Sequence, residues 1–349
     1  MCLIRKNHIY NYSVKMFMNL VCKSVYVITI VNFLLCDSTP ASSHIHSHHH
    51  EEREEDGGYS PRDKTHIVNG HHHSEFDHES ILGSVKEAEE FDHLNPVEAK
   101  RRLRILLTKM DFDKDENIDR KELHAWILRS FKMLSEEESQ ERFEDADDNE
   151  DGVVTWSEYI ADSYGINGSD EDNSISNGDN SEENKLLSDD KVMFEAADKN
   201  KDGSLNKAEF LMFSHPEEHP DMLPVILKQT LQEKDIDGDG FISFQEFISD
   251  RGKHQEKEWL VVEKEKFDNE FDKDKDGKLN GAEILSWVVP SNDEIADEEV
   301  SHLFAASDDD HDELLTFDEI LDHHEIFVGS EATDYGDHLH NIHIFQDEL

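Results

Sequence analysis

The chain has 349 residues, of which 36% are hydrophobic, and 83 acidic against 34 basic residues give it a formal net charge of −49. The length allows two or three domains, and so large a negative charge opposes compaction unless cations bind or screen it. Nucleic acid is excluded as a partner, because binding it requires a basic surface. All three cysteines lie in the first 36 residues, so the rest of the chain has neither a disulfide framework nor a thiolate metal site.

Residues 1–36 are typical of a signal peptide. No acidic residue occurs before Asp37, and basic residues precede an apolar run at 25–35. This run is too short to span a bilayer but suits the core of a secretory signal. We expect cleavage near 36–41 and no stable membrane insertion afterwards. An uncleaved signal anchor is the alternative.

The other end of the sequence resembles a retention signal of the endoplasmic reticulum. The chain closes with QDEL, in which Asp347, Glu348 and Leu349 match KDEL and HDEL and Gln346 replaces Lys or His. Together with a signal peptide, this ending predicts a protein of the reticulum lumen and secretory pathway. We expect a retention receptor to bind it and a part of the protein to be secreted.

Residues 37–79 are rich in histidine, with ten between His44 and His78, and poor in apolar residues. We predict a disordered acidic tail, since such a composition buries too little apolar surface to fold. Weak capture of zinc or copper by the imidazoles is the alternative. The absence of a regular ligand spacing disfavours it.

From about residue 80 a repeat organises the chain. Twelve-residue windows with an apolar eighth position and Glu at the twelfth begin at Asp111, Asp147, Asp198, Asp235, Asp272 and Asp308. Four windows fit the EF-hand calcium loop D-x-[DN]-x-[DN]-G-x₅-E. The first, DFDKDENIDRKE, and the last, DDDHDELLTFDE, instead have Glu116 and Glu313 at position 6. Since the chain turns sharply there and Gly is usual, we expect these two sites to be weaker.

Apolar residues before and after the windows predict helix–loop–helix units. The fourth residue before the window is apolar in five cases, whereas the fifth window has Phe267 and Phe271 instead. Asn95, followed by Pro, marks the start of the first helix. Ser135 and Ser291 each precede a Glu by three residues, which predicts capping boxes before the second and sixth windows.

Calcium takes six to eight oxygen ligands, and an EF-hand loop supplies them from positions 1, 3, 5, 7, 9 and 12. Position 7 binds through its backbone carbonyl, and the Glu at position 12 through both oxygens. The predicted ligands are Asp111, Asp113, Asp115, Asn117 and Glu122; Asp147, Asn149, Asp151, Val153 and Glu158; Asp198, Asn200, Asp202, Ser204 and Glu209; Asp235, Asp237, Asp239, Phe241 and Glu246; Asp272, Asp274, Asp276, Lys278 and Glu283; Asp308, Asp310, Asp312, Leu314 and Glu319.

The predicted fold is all-α, with six EF-hand units in three pairs that join loops one and two, three and four, and five and six through short strands. This pairing predicts domains at 80–164, 191–252 and 253–326. An acidic linker at 165–190 follows the first pair, and a tail occupies 327–349. In this arrangement each outer pair has one regular loop and one loop with Glu at position 6.

Two further features have alternative interpretations. Asn167-Gly168-Ser169 in the linker is an N-glycosylation sequon, and we expect Asn167 to be modified rather than free. Aromatic residues after the loops are expected in the core of each pair, with a partner-binding groove as the alternative. They are Trp126, Tyr159, Phe213 and Trp287.

The sequence resembles the CREC family of reticulocalbins and calumenins over roughly residues 75–349. The motifs that carry this resemblance are EFDHESILG, HPEEHPDM and LFAASDDDHDELLTFDEI, followed by FVGSEATDYGD. The resemblance implies a low-affinity calcium binder of the secretory pathway that acts on luminal or pump proteins.

We therefore expect a Ca²⁺-binding protein that buffers luminal calcium and binds luminal client proteins when calcium is present. The alternative is a chaperone or modulator of one luminal enzyme or pump, with incidental buffering. The targeting signals and the scarcity of methionine, five beyond the signal, disfavour a calmodulin-like sensor. An enzyme is disfavoured because the loop pattern already accounts for the carboxylates.

Overall fold

The computed structural model describes residues 53–329, except 55, 65, 69–70, 73, 167–180 and 256. The predicted signal peptide, the Asn167 sequon and the QDEL ending lie outside the described residues. Within the described part, no helix is long and apolar enough to cross a membrane.

The described part is mostly helical, which confirms the all-α class. Its helices are α1 (Glu75–Leu82), α2 (Val85–Asp92), α3 (Pro96–Met110), α4 (Arg120–Ala146), α5 (Trp156–Tyr164), α6 (Ser181–Ala197), α7 (Lys207–Ser214), α8 (Leu223–Lys234), α9 (Phe244–Ile248), α10 (Lys257–Lys266), α11 (Gly281–Val288), α12 (Asn292–Ser307), α13 (Phe317–Asp322) and α14 (His324–Phe327). Short 3₁₀ segments lie at Pro216–Glu218 and Ser249–His254, and a π-helical turn at Phe267–Phe271.

The strands are two residues long and pair in antiparallel fashion. They are β1 (Ile67–Val68), β2 (His71–His72), β3 (Asn117–Ile118), β4 (Val154–Thr155), β5 (Ser204–Leu205), β6 (Ile242–Ser243), β7 (Lys278–Leu279) and β8 (Leu315–Thr316). Strands β1 and β2 form a hairpin, and each of the six predicted loops contributes one of the other strands.

The loops form three pairs, but their partners differ from the prediction. Strand β3 pairs with β8, β4 with β5, and β6 with β7. Loop one therefore joins loop six, loop two joins loop three, and loop four joins loop five. The predicted sequential pairing is wrong, and so is the assignment of one pair each to 80–164, 191–252 and 253–326.

The helix between loops one and two explains this difference. Helix α4 runs unbroken for 27 residues, so it is about 40 Å long at 1.5 Å per residue. A straight helix of this length carries loop two away from loop one. Ser135, which the sequence analysis placed at a helix start, lies inside it, and its hydroxyl donates to the Phe131 carbonyl oxygen at 3.1 Å.

Two hydrophobic clusters follow from the pairing. The first contains the apolar residues around loops one and six, together with those of α1 and α2. The second contains the apolar residues around loops two, three, four and five. Position 8 of every loop is completely buried, as the sequence predicted, and contributes to one of these clusters. The residues are Ile118, Val154, Leu205, Ile242, Leu279 and Leu315.

The predicted disorder of 37–79 is wrong for its described part. Tyr59 is buried in the second cluster and Phe76 in the first. Arg62 donates from Nη2 to the Ser135 hydroxyl at 2.6 Å and to a Glu218 carboxylate oxygen at 2.9 Å. A few aromatic and arginine contacts thus hold a segment whose average composition predicts disorder.

The predicted linker 165–190 also ends earlier than expected. Helix α6 begins at Ser181 and continues to loop three. Asp190 is buried there and accepts a hydrogen bond from the Tyr159 hydroxyl at 2.8 Å. This contact joins α6 to the helix that leaves loop two, so the last part of the predicted linker belongs to the fold.

The π-helical turn accounts for the shifted apolar residue before loop five. The first residue of each other loop donates its N–H to the carbonyl four residues earlier, whereas the Asp272 N–H donates to the Phe267 carbonyl, five residues earlier, at 2.9 Å. The wider turn accommodates one extra residue. Phe267 is completely buried as a result, as Leu107 is before loop one.

The other two predicted helix starts are confirmed. The Asn95 side-chain oxygen accepts the Glu98 N–H at 3.1 Å, and the Ser291 hydroxyl accepts the Glu294 N–H at 3.2 Å. Each side chain satisfies a backbone donor that the helix itself leaves unpaired.

An engineered disulfide tests the loop pairing. A chain that starts at residue 37 has no cysteine, so Asn117→Cys with Thr316→Cys creates a single pair. These residues lie directly opposite each other in β3 and β8, where Cα atoms are about 4.5–5.5 Å apart and within disulfide reach. We expect an intramolecular cross-link on mild oxidation, seen by non-reducing electrophoresis and mass spectrometry.

Asn117→Cys with Thr155→Cys is the matched control. Thr155 and Thr316 both occupy position 9 of a loop and cap the helix that follows, so their replacement has the same local cost. The control pair should not cross-link. Cross-linking of the control pair alone would support the sequential pairing of loops one and two and contradict the structure.

Candidate calcium sites

The first Asp of each loop organises the turn that follows. One of its oxygens accepts the N–H of the residue at position 6 in all six loops, at 2.8–2.9 Å from Gly and at 3.1 and 3.2 Å from Glu116 and Glu313. In loops one to five its other oxygen accepts the N–H of position 4 or 5. The backbone therefore wraps around this carboxylate.

Positions 3, 5 and 7 are linked by the same ladder in every loop. The N–H of position 5 donates to the side-chain oxygen of position 3. The N–H of position 7 donates to the carboxylate of position 5. These bonds orient each side chain toward the inside of its turn, where the predicted ligands belong.

The Glu at position 12 reaches back over the loop. One of its oxygens accepts the N–H of position 9 in all six loops, at 2.8–3.1 Å. In five loops its other oxygen accepts an N–H from position 2, between 2.7 and 3.3 Å. The carboxylate is thus held close to the residues that open the loop.

Position 9 has a structural role beyond the ligand role expected of it. Its side chain caps the next helix, and with the Glu at position 12 it forms a complete capping box in every loop. The signal was present, since all six residues are of the types that favour an N-cap and stand three before a Glu. They are Asp119, Thr155, Asn206, Ser243, Asn280 and Thr316.

These contacts bring carboxylate oxygens together in a form that suits calcium. Candidate ligand atoms lie within 4.8 Å of one another in loop one (Asp111, Asp113, Glu122), loop four (Asp235, Asp237, Glu246) and loop five (Asp272, Asp274, Asp276). The donors are all oxygens, which calcium prefers as a hard cation. The residues present therefore fit the ion, and the predicted ligands of all six loops stay predictions.

Two residues in each loop have positive φ, and only one of them was anticipated. At position 6, Glu116 and Glu313 have φ of +67° and +65°, and the four glycines have φ of +82° to +89°. Position 4 also has positive φ in all six loops, although five of these residues carry a side chain: Lys114, Glu150, Lys201, Lys275 and His311. The loop thus tolerates a side chain in a left-handed turn, which supports a weakened rather than a lost site.

The two loops with Glu at position 6 are paired with each other through β3 and β8. The sequence analysis placed them in separate outer pairs, each with a regular partner, and that arrangement is wrong. They share the first hydrophobic cluster, whereas the four regular loops share the second. We therefore expect the weaker sites to form one cooperative unit.

A lysine lies between the carboxylates of loops four and five. The Lys278 ammonium, from position 7 of loop five, contacts the Asp239 carboxylate of loop four. This hydrogen bond holds the pKa of Asp239 below its usual value. Lys278 thus partly neutralises the charge of one predicted ligand of loop four.

The aromatic residues after the loops belong to the core. Each is buried and part of one of the two clusters, so the core interpretation is confirmed and the groove alternative is wrong. The residues are Trp126, Tyr159, Phe213 and Trp287. Trp126 also donates its indole N–H to the Ile81 carbonyl at 2.7 Å, which attaches α4 to α1.

Comparison with known proteins agrees with the loop geometry. The family described as an EF-hand domain pair matches residues 187–249, which contain loops three and four, and the family described as an EF hand matches residues 140–161, around loop two. The first match groups loops that are adjacent in sequence, although their strands pair with loops two and five.

The chain is also similar to whole proteins. Reticulocalbin-2 of Crotalus adamanteus is 39% identical over 285 residues, which cover 80% of this chain and 93% of that protein. Reticulocalbin-2 of Mus musculus and of Rattus norvegicus are each 38% identical over 297 residues, which cover 84% of this chain and 93% of each relative.

Replacement of Glu116 by Gly should strengthen calcium binding at loop one by up to about tenfold, because a side chain in a left-handed conformation costs about 1–2 kcal/mol. Glu313→Gly should do the same at loop six. Calcium titration by calorimetry in competition with a chelator should show that the number of weak sites falls by one in each variant, because that site now binds more strongly.

Gly240→Glu makes the reverse change in loop four. A Cβ at this position meets no atom within 4 Å, so the backbone alone is tested, and we expect weaker binding there. Unchanged affinity in all three variants would show that position 6 does not set the strength of these sites.

Proposed function

This chain belongs to the reticulocalbin family of EF-hand proteins, and we propose that it buffers calcium at low affinity in the lumen of the endoplasmic reticulum and secretory pathway. The chain is a calcium-binding protein and not an enzyme. The luminal location is supported by the predicted signal peptide and the QDEL ending.

The observation that carries the buffering function is the repeated carboxylate geometry of the six loops. A chain with a net charge of −49 gains from every divalent ion that neutralises a loop, because self-repulsion opposes its folded form. EF-hand sites of calcium-rich compartments work at about 10⁻⁴–10⁻³ M. The weakened pair of loops one and six suits the upper part of that range.

The pairing of the first and last loops couples calcium binding to closure of the fold. Loops one and six come from distant parts of the chain, yet β3 and β8 join them. An ion that binds only the folded form stabilises it by an amount that grows with the logarithm of the ratio of ion concentration to Kd. Calcium at this pair would therefore hold the two ends of the repeat together, and the weakest sites would complete the structure last.

We also propose that the calcium-bound form binds luminal client proteins. Loop four exposes two apolar side chains, Ile236, which is 79% exposed, and Phe241, which is 38% exposed. Both belong to a predicted calcium loop, so the ion would set their position. Helix α10 adds the exposed Val261 and Val262. Exposed apolar side chains of this kind can pack against an apolar surface of a client protein.

Calcium removal should expand the protein and lower its helix content. We expect circular dichroism and small-angle scattering to report a partly helical, expanded form in chelator and a compact one at about 1 mM calcium. Magnesium at the same concentration controls for screening by any divalent ion. If calcium leaves both signals unchanged, the coupling of binding to compaction is wrong.

Client binding should depend on calcium and on loop four. Pull-down from microsomes with the wild-type protein should recover the same client proteins in calcium and lose them in chelator, and Ile236→Ser should reduce recovery. Val97→Ser is the matched control, since Val97 is also highly exposed but lies outside the calcium loops. Equal recovery with and without calcium would show that the protein does not bind clients in a calcium-dependent way, and only the buffering function would stand.

A further inference from the structure

A cluster of histidine and carboxylate side chains lies outside the calcium loops. His66 precedes β1, Asp77 belongs to α1, and Glu299 and His302 belong to α12. The His66 Nε2 atom is 2.9 Å from one Asp77 oxygen and 3.9 Å from a Glu299 oxygen, and the His302 Nε2 atom is 3.5 Å from the other Asp77 oxygen. Segments far apart in sequence thus bring four potential ligands together.

The carboxylates of this cluster are buried and the imidazoles are not. The side chains of Asp77 and Glu299 are each 1% exposed, whereas those of His66 and His302 are 15% and 34% exposed. The His66 ring also packs against Phe76, with ring centroids 4.9 Å apart. The cluster therefore has a rigid floor and an opening at the imidazoles through which an ion can enter.

The two buried carboxyl groups lie close together, and burial disfavours their charged forms. Glu299 has the side chains of Asp77 and Ser80 as hydrogen-bonding neighbours. Burial raises the pKa of Asp77, and burial together with the charge of Asp77 raises the pKa of Glu299. Burying such a pair is costly unless a cation compensates it.

We propose that His66, Asp77, Glu299 and His302 bind a zinc ion. Zinc is bound in tetrahedral sites by imidazole nitrogens and carboxylate oxygens at about 2.0–2.2 Å, which places neighbouring ligand atoms about 3.3 Å apart. The separations of 2.9, 3.5 and 3.9 Å in the cluster bracket this value. Calcium requires oxygen ligands, so the two imidazoles select a transition metal even where calcium is abundant.

Zinc at this site links the segment that contains His66 and helix α1 to helix α12. It attaches the segment before α1 to α12, the helix that leads directly into loop six. The site is therefore independent of the six calcium loops in its ligands, but it stabilises the same hydrophobic cluster as the weaker calcium pair.

Zinc titration of the mature chain in saturating calcium tests the proposal. Calcium occupies the loops, and histidines of the amino-terminal tail contribute equally to every variant. We expect His302→Gln and Glu299→Gln each to lose one equivalent of bound zinc by calorimetry. With cobalt as the probe, the visible absorption of a tetrahedral site should appear in the wild-type protein and be absent from His302→Gln.

His124→Gln is the matched control, because His124 faces Asp293 and Asp297 on the same helix α12 but these carboxylates are exposed. It should keep the zinc equivalent and the cobalt spectrum. His66→Gln, outside any helix, serves as a second variant if His302→Gln fails to fold. Zinc binding that is unchanged in His302→Gln and His66→Gln, or reduced equally in His124→Gln, would overturn the proposal.

Discussion

The unbroken helix Arg120–Ala146 is the constraint on which the rest of the structure depends. Because it separates loop one from loop two, neither can use the other to bury its apolar eighth residue. Loop two therefore pairs with loop three, loop four with loop five, and loop one is left to pair with loop six. The two hydrophobic clusters follow from these pairs, since each pair brings the helices that flank its loops into contact.

This arrangement groups the loops by their residue at position 6. The loops with Glu at position 6 meet in one cluster, and the four regular loops share the other. The first cluster also contains α1 and α12, whose Asp77, Glu299 and His302 form the proposed zinc site with His66. Metal binding in that cluster thus involves three elements: the segment before α1, helix α12, and the strand pair of β3 and β8. Each of them depends on contacts between distant parts of the chain.

Within the loops, local sequence accounts for nearly all of the geometry. Hydrogen bonds between residues no more than ten apart place the carboxylates at positions 1, 3, 5 and 12, so the pattern of a twelve-residue window predicts them. The expected strain at position 6 is also visible, in the positive φ of Glu116 and Glu313. Position 4 shows that such strain is common in these loops, a point that a pattern centred on glycine does not reveal.

By itself, the sequence determined the helix–loop–helix units, the buried eighth position and the left-handed Glu at position 6 of the first and last loops, because each depends on residues close together in the chain. It did not determine which loops pair, since the same spacing of 37 residues separates loops four and five, which pair, and loops three and four, which do not. Only the tertiary structure decided that Ser135 lies inside a helix rather than at its start, that Tyr59 and Phe76 hold the histidine-rich segment in place, and that His66 meets His302. The last two outcomes depend on contacts between residues far apart in sequence, which local patterns do not record.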